Sequence, residues 1–161
     1  MVESKKWGVV GAVVLTVCGV WIHAAERSQP AEESVGVEWQ SNLKAAHRLA
    51  VRDNKPLLIV FGAEWCHFCK KLEEETLAHP ALARYINDTY VPVHLDFDKD
   101  DRVRDILQVE RLPCTILLTK DAEILDRFEG YMPPADIYKK LAAAKQVHLQ
   151  LVEAAGTATI Q

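Results

Sequence analysis

Residues 57–70, with the sequence LLIVFGAEWCHFCK, decide the fold expected for this chain. The first five of them, LLIVF, form an unbroken apolar run of the length expected for a strand that is buried on both faces. Gly62 ends the run, and a helical pattern begins at Cys66. A buried strand that leads directly into a helix predicts an α/β domain, with the two cysteines of this stretch at the junction.

Cys66 and Cys69 form a Cys-x-x-Cys motif at that junction. Backbone N–H groups and the helix dipole stabilise a thiolate at a helix N-terminus, and a two-residue gap lets the second sulfur close a disulfide. Trp65 is expected to shield one side of the sulfur, Lys70 adds positive charge, and His67 would favour the thiolate when protonated. The pattern indicates a redox-active dithiol, with a structural disulfide or half of a zinc site as the alternatives.

The rest of the chain alternates between helical and extended patterns. Apolar spacing predicts helices over residues 39–54, 66–77, 81–86, 96–108 and 134–144, and strands over residues 90–95, 115–118 and 123–128. A break is expected at His79 and Pro80 because proline interrupts a helix. The pattern predicts one α/β domain over residues 37–145, followed by a C-terminal tail over residues 146–161.

The N-terminus has the pattern of a targeting segment. Lys5 and Lys6 precede an uncharged run over residues 7–22, and the next acidic residue is Glu26. Both a cleaved signal peptide and a retained membrane anchor fit residues 1–25, because the run lies between the usual lengths of the two. Residues 26–36 are polar and acidic and are expected to form a linker. Either interpretation places the domain outside the cytoplasm, attached to the membrane if the segment is retained.

The composition excludes several classes of function. The chain has 161 residues, of which 49% are hydrophobic and 26% charged, as expected for one packed domain with appendages. A formal net charge of -4 provides no general attraction for phosphate backbones, so no nucleic-acid partner is expected. Four cysteines are too few for a small domain that depends on disulfides for its stability.

Several motifs together resemble the thioredoxin superfamily. Residues 57–70 are similar to its strand and active-site signature, residues 109–113 (VERLP) to the segment that ends in its cis-proline, and Gly130 to its glycine before the final helix. The resemblance covers about residues 38–145 and implies a thioredoxin-like fold with a central mixed β-sheet flanked by helices. The chain looks most like bacterial extracytoplasmic members, including the C-terminal domain of DsbD, which implies the periplasm.

The resemblance also implies a role for each site residue. Cys66 resembles the nucleophile that attacks a substrate disulfide, and Cys69 resembles the thiol that resolves the mixed disulfide. Pro113 resembles the cis-proline that faces the dithiol, where the preceding backbone pairs with a bound peptide. The implied partners are proteins with disulfides or dithiols and a membrane-bound or soluble redox donor, with no cofactor or metal. Similarity to the DsbD domain favours a reductase.

Two positions depart from the family pattern. Thioredoxins carry a buried Asp six residues before the first cysteine, where this chain has Val60. A lysine near that Asp corresponds by strand position to His94, which is either a replacement base or an ordinary histidine. Cys114 follows Pro113 where the family usually has Thr, and it is either a buried structural thiol or a third redox or metal-ligating sulfur.

Two other functions compete with a thiol:disulfide oxidoreductase. A metal-binding module of the same fold would hold Cu(I) through the two motif cysteines and a third ligand from His67, His94 or Cys114. Copper proteins of that type usually space their cysteines by three residues, so the two-residue gap argues against this alternative. A scaffold with a vestigial dithiol is disfavoured by the intact Trp-Cys-x-x-Cys motif.

Overall fold

A computed structural model describes residues 36–158 of the chain. The predicted targeting segment, residues 1–25, and all but the last residue of the predicted linker lie outside the described residues. Within residues 36–158, no helix has the length and apolar composition needed to cross a membrane.

Helices and strands alternate along the described chain in the predicted order. The elements are α1 (Leu43–Asp53), β1 (Leu57–Gly62), α2 (His67–Lys71), a π-helical segment (Leu72–Leu77), α3 (Pro80–Thr89), β2 (Val91–Asp96), α4 (Asp101–Ile106), β3 (Cys114–Leu118), β4 (Ile124–Glu129) and α5 (Pro134–Ala158). The strands form one sheet in the order β2-β1-β3-β4. β1 is parallel to β2 and antiparallel to β3, and β3 is antiparallel to β4. The predicted mixed sheet flanked by helices is confirmed.

The apolar run of β1 occupies the centre of the sheet, and all six of its residues are buried. Its side chains alternate between two hydrophobic clusters because successive residues of a strand point to opposite faces. Leu57, Ile59 and Phe61 pack with residues of α1 on one face. Leu58 and Val60 pack with residues of the π-helical segment, α3 and α5 on the other. This two-sided burial explains why β1 carries no polar side chain.

The helices differ from the sequence prediction at two places. The first helix begins at Leu43 and not at residue 39, because the Asn42 side chain caps it by accepting a hydrogen bond from the Ala45 N–H at 2.8 Å. The predicted helix over residues 66–77 is α-helical only to Lys71 and π-helical beyond it. The predicted break is confirmed, since His79 is the N-cap of α3 and Pro80 begins that helix.

The last helix is longer than predicted and includes most of the predicted C-terminal tail, residues 146–161. α5 does not end at Ala144 but continues to Ala158, for a total of 25 residues. The extension contains no proline and is rich in good helix formers, so nothing in it stops the helix. Its apolar residues Val147, Leu149 and Leu151 are 42–43% exposed. Because these apolar residues do not all lie on the buried face, the amphipathic pattern of the helix is weak.

Candidate active site

The two cysteines of the motif are joined in a disulfide where β1 leads into α2. Their Cα atoms are 5.3 Å apart. Cys66 is the N-cap of α2, and its Sγ accepts a hydrogen bond from the Cys69 backbone N–H at 3.1 Å. A backbone N–H directed at this sulfur favours negative charge on it, so the position suits a thiolate once the disulfide is reduced.

The two cysteines are buried, whereas the aromatic side chains next to them in the chain are exposed. Cys66 is 7% exposed and Cys69 is 2% exposed, whereas Trp65 and Phe68 are 67% and 56% exposed. His67 is also exposed, and its ring contacts the ring of Phe68 edge-on with centroids 5.6 Å apart. Cys66 is therefore the more exposed cysteine of the pair, and exposed aromatic side chains flank it in the chain.

Trp65 is fixed in place by the loop that follows β2. Its indole N–H donates a hydrogen bond to the Asp98 carboxylate at 2.7 Å. Its ring also packs edge-on against Phe97, with centroids 6.3 Å apart. Lys70 is exposed on α2 and lines a cavity beside Gly62. The loop after β2 thus orders one side of the site.

Pro113 lies at the same end of the sheet as the dithiol. The register pairs Phe61, near the end of β1, with Cys114 at the start of β3. The Leu112–Pro113 peptide bond is cis, as the family resemblance implies. The Pro113 carbonyl accepts a hydrogen bond from the Gly130 N–H at 2.7 Å, and Gly130 has a φ of +84° that favours glycine.

His94 lies on β2 directly beside Val60 of β1. Its Nε2 atom is 3.1 Å from Oε1 of Glu73 in the π-helical segment. Glu73 is a site residue that the sequence analysis missed, because a run of three glutamates is typical of a solvated helix face. Its only sequence signal is its position four residues after Cys69, one helical turn further along.

Cys114 does not join the dithiol. Its side chain is fully buried in the hydrophobic cluster that packs against α1, whereas the helical run after Cys66 packs into the cluster on the other face. Burial raises the pKa of the Cys114 thiol from 9.0 to about 11, although Arg127 acts in the opposite direction. In the part of the chain that the structure describes, no three His, Cys, Asp or Glu side chains form a group able to hold a metal.

The fold and the dithiol together define the class of protein. Residues 43–145 match the thioredoxin-like domain family, and the chain belongs to that family. Among curated proteins, it is similar to the chloroplastic thioredoxin Y2 of Arabidopsis thaliana, with 31% identity over 102 residues. It is also similar to the thioredoxin-related protein DsbJ of Chlamydia pneumoniae, with 24% identity over 139 residues. These matches cover 62% and 79% of this chain, but only 57% and 39% of the two relatives.

Solved structures show the same fold. The DsbH oxidoreductase superposes with a TM-score of 0.61 at 18% identity, covering 70% of this chain and 87% of its own. A thioredoxin from Thermus thermophilus also gives a TM-score of 0.61, at 21% identity, covering 66% of this chain and 85% of its own.

Proposed function

We propose that the chain is a thiol–disulfide oxidoreductase that reduces disulfides of other proteins outside the cytoplasm. The observation that carries the proposal is the Cys66–Cys69 disulfide at the start of α2, where the Cys69 N–H donates to the Cys66 sulfur. Membership of the thioredoxin-like family supports it. So do the names of its relatives, which include a thioredoxin, a thioredoxin-related Dsb protein and a Dsb oxidoreductase.

The proposed reaction transfers two electrons from the dithiol to a substrate disulfide. The Cys66 thiolate attacks one substrate sulfur, the substrate S–S bond breaks, and the other substrate sulfur leaves as a thiolate. Cys69, as a thiolate, then attacks the Cys66 sulfur of this mixed disulfide. The second substrate thiolate leaves and the Cys66–Cys69 disulfide forms. An external dithiol must reduce that disulfide before the next cycle.

The rim of the site suits a flexible peptide segment as substrate. Trp65 and Phe68 present apolar surface beside the sulfur that is attacked first, and apolar surface of this kind favours a protein partner over a small polar disulfide. By resemblance to the family, the backbone before Pro113 pairs with an extended segment of the substrate. Lys70 supplies positive charge at the same rim.

The compartment and the electron donor belong to the proposal as well. The sequence pattern of residues 1–25 predicts export or anchoring, and two of the similar proteins carry Dsb names. We assign the domain to the bacterial periplasm, where a membrane-bound or soluble dithiol protein would supply its electrons.

Cysteine variants of the full chain test the chemistry. Cys66→Ser should reduce the catalysed reduction of insulin disulfides to background, because it removes the attacking sulfur. Cys69→Ser should accumulate a mixed disulfide with the substrate, visible on a non-reducing gel, because attack proceeds without resolution. Cys114→Ser is the matched control, and it should neither lower the rate of insulin reduction nor accumulate a mixed disulfide. Full turnover by either motif variant would refute the dithiol mechanism.

The reduction potential tests the direction of transfer. Equilibration with glutathione buffers should place the Cys66–Cys69 couple near the thioredoxin value of about -270 mV. A potential near about -120 mV would indicate an oxidant and would overturn the reductase assignment while leaving the dithiol chemistry intact.

A further inference from the structure

One nitrogen of His94 is buried beside the dithiol without a hydrogen-bond partner. Among the described residues, only His94 Nε2 and His148 Nδ1 are buried side-chain nitrogen or oxygen atoms that lack such a partner. Glu73 Oε1 lies 3.1 Å from His94 Nε2, within ion-pair distance but outside hydrogen-bond geometry. A buried polar atom without a hydrogen-bond partner lowers the stability of the fold. Its presence next to the dithiol therefore calls for a functional explanation.

Gly62 opens the space between this nitrogen and the resolving cysteine. A β-carbon at position 62 would stand 2.9 Å from His94 Nε2 and 3.6 Å from the Cys69 β-carbon. Any other residue at this position would therefore press against the imidazole and contact Cys69. Glycine leaves Nε2 facing the side of α2 that carries Cys69.

Charged side chains of both signs line the space around His94. A cavity of about 230 Å³ beside the imidazole is lined by Gly62, Ala63, Glu64, Lys70, Glu73, His94 and Asp96. Trp39 packs edge-on against the imidazole from the first described segment, with ring centroids 5.7 Å apart. Histidine is the side-chain type in this set that ordinarily gains and loses a proton near neutral pH.

Cys69 needs such a proton acceptor. It is 2% exposed, and it must lose its thiol proton before it can attack the mixed disulfide. The residue on β1 that faces the same side of the sheet as His94 is Val60, which cannot accept a proton.

We propose that His94, paired with Glu73, accepts the Cys69 thiol proton during resolution. This inference rests on the proposed function and specifies its second step. The proton passes from Cys69 Sγ to His94 Nε2 through the space beside Gly62, directly or through water in the cavity. The resulting thiolate attacks Cys66, the substrate thiolate leaves, and the Glu73 carboxylate stabilises the imidazolium. Glu73 acts as a positioning residue, and its half-exposed side chain connects the pair to solvent.

The test separates the two steps of the reaction in the reduced full chain. Dithiobis-nitrobenzoate is an aromatic disulfide that releases one coloured thiolate when Cys66 attacks and a second when Cys69 resolves the mixed disulfide. Stopped-flow absorbance therefore gives a rate for each step across a pH series. His94→Gln should slow the second release about tenfold to a hundredfold near neutral pH, while the first changes less than about twofold. The second rate should also become steeply dependent on hydroxide.

Two further variants keep the test decisive if His94→Gln does not fold. Gly62→Ala should slow the second release in the same way, because its methyl group displaces the imidazole. Glu73→Gln should slow it less, and Glu74→Gln is the matched control that removes a neighbouring charge without effect.

The outcomes distinguish this inference from the proposed function. An unchanged second release and pH profile in His94→Gln and Gly62→Ala would overturn the role of His94. Equal slowing of both releases would also overturn the role of His94, because a general structural defect would slow both steps alike. If the wild-type chain shows no first release, the proposed function itself fails.

Discussion

The dithiol and Cys114 lie at the same end of the sheet, yet their sulfur atoms are in opposite chemical environments. All three cysteines are buried, since Cys66 is 7%, Cys69 2% and Cys114 0% exposed. Cys66 caps a helix and receives a backbone N–H at 3.1 Å. Cys114 is the first residue of β3, and burial raises the pKa of its thiol to about 11.

The difference comes from what the backbone does at each position. At a helix N-terminus the first N–H groups have no partner within the helix and are available to a sulfur. Within a central strand the backbone groups are used by the neighbouring strands, and Cys114 pairs with Phe61 on one side and Glu129 on the other. The Cys66 sulfur therefore has a backbone donor that favours its thiolate, whereas burial favours the protonated thiol of Cys114.

The largest expected effect is a difference in alkylation rate between Cys66 and Cys114 in the reduced protein. Near pH 7, a thiol with a pKa of about 11 is about one ten-thousandth thiolate, whereas an ordinary thiol is a few per cent thiolate. Iodoacetamide should therefore label Cys66 at least about a hundredfold faster than Cys114, as measured by peptide mass spectrometry. All thiols should react alike in guanidinium. Similar native rates at both positions would break the comparison.

The pH dependence of stability tests the environment of Cys114 in the oxidised protein. The unfolded thiol ionises above its ordinary pKa of 9.0, while the folded thiol keeps its proton until about pH 11. The unfolded state then binds fewer protons, so stability falls as the pH rises between these values. We expect a loss of up to about 2–3 kcal/mol in urea unfolding, and Cys114→Ala should remove this part of the loss. Parallel curves for both proteins would contradict a raised pKa.

A smaller effect on stability is expected at Gly130, whose N–H donates a hydrogen bond to the Pro113 carbonyl. Gly130 has a φ of +84°, and an added β-carbon there would contact nothing within 4 Å, so Gly130→Ala changes only the backbone preference. We expect it to lower the free energy of unfolding by about 1 kcal/mol and to leave the labelling ratio unchanged. Gly156→Ala, in α5 and equally open, should stabilise slightly. A stabilising Gly130→Ala would contradict the backbone argument.

Local patterns in the sequence predicted much of the fold and part of the site. The apolar run of β1, the Cys-x-x-Cys motif after it and Pro80 at the start of α3 each depend on neighbouring residues, so their consequences can be predicted directly. The full length of α5 could not be predicted, because its exposed apolar residues obscure the helical period. Glu73 could not be recognised either, since its partner His94 lies on another element.

By itself, the sequence determined the α/β class, the position of the dithiol at a strand-to-helix junction and the absence of a carboxyl group at Val60. These follow from short-range periodicity and from the identity of single residues. Tertiary structure alone decided that Cys114 packs on the face away from the dithiol, and that His94 meets Glu73 beside Gly62. Those relations depend on strand register and helix packing, which bring together residues that are distant along the chain.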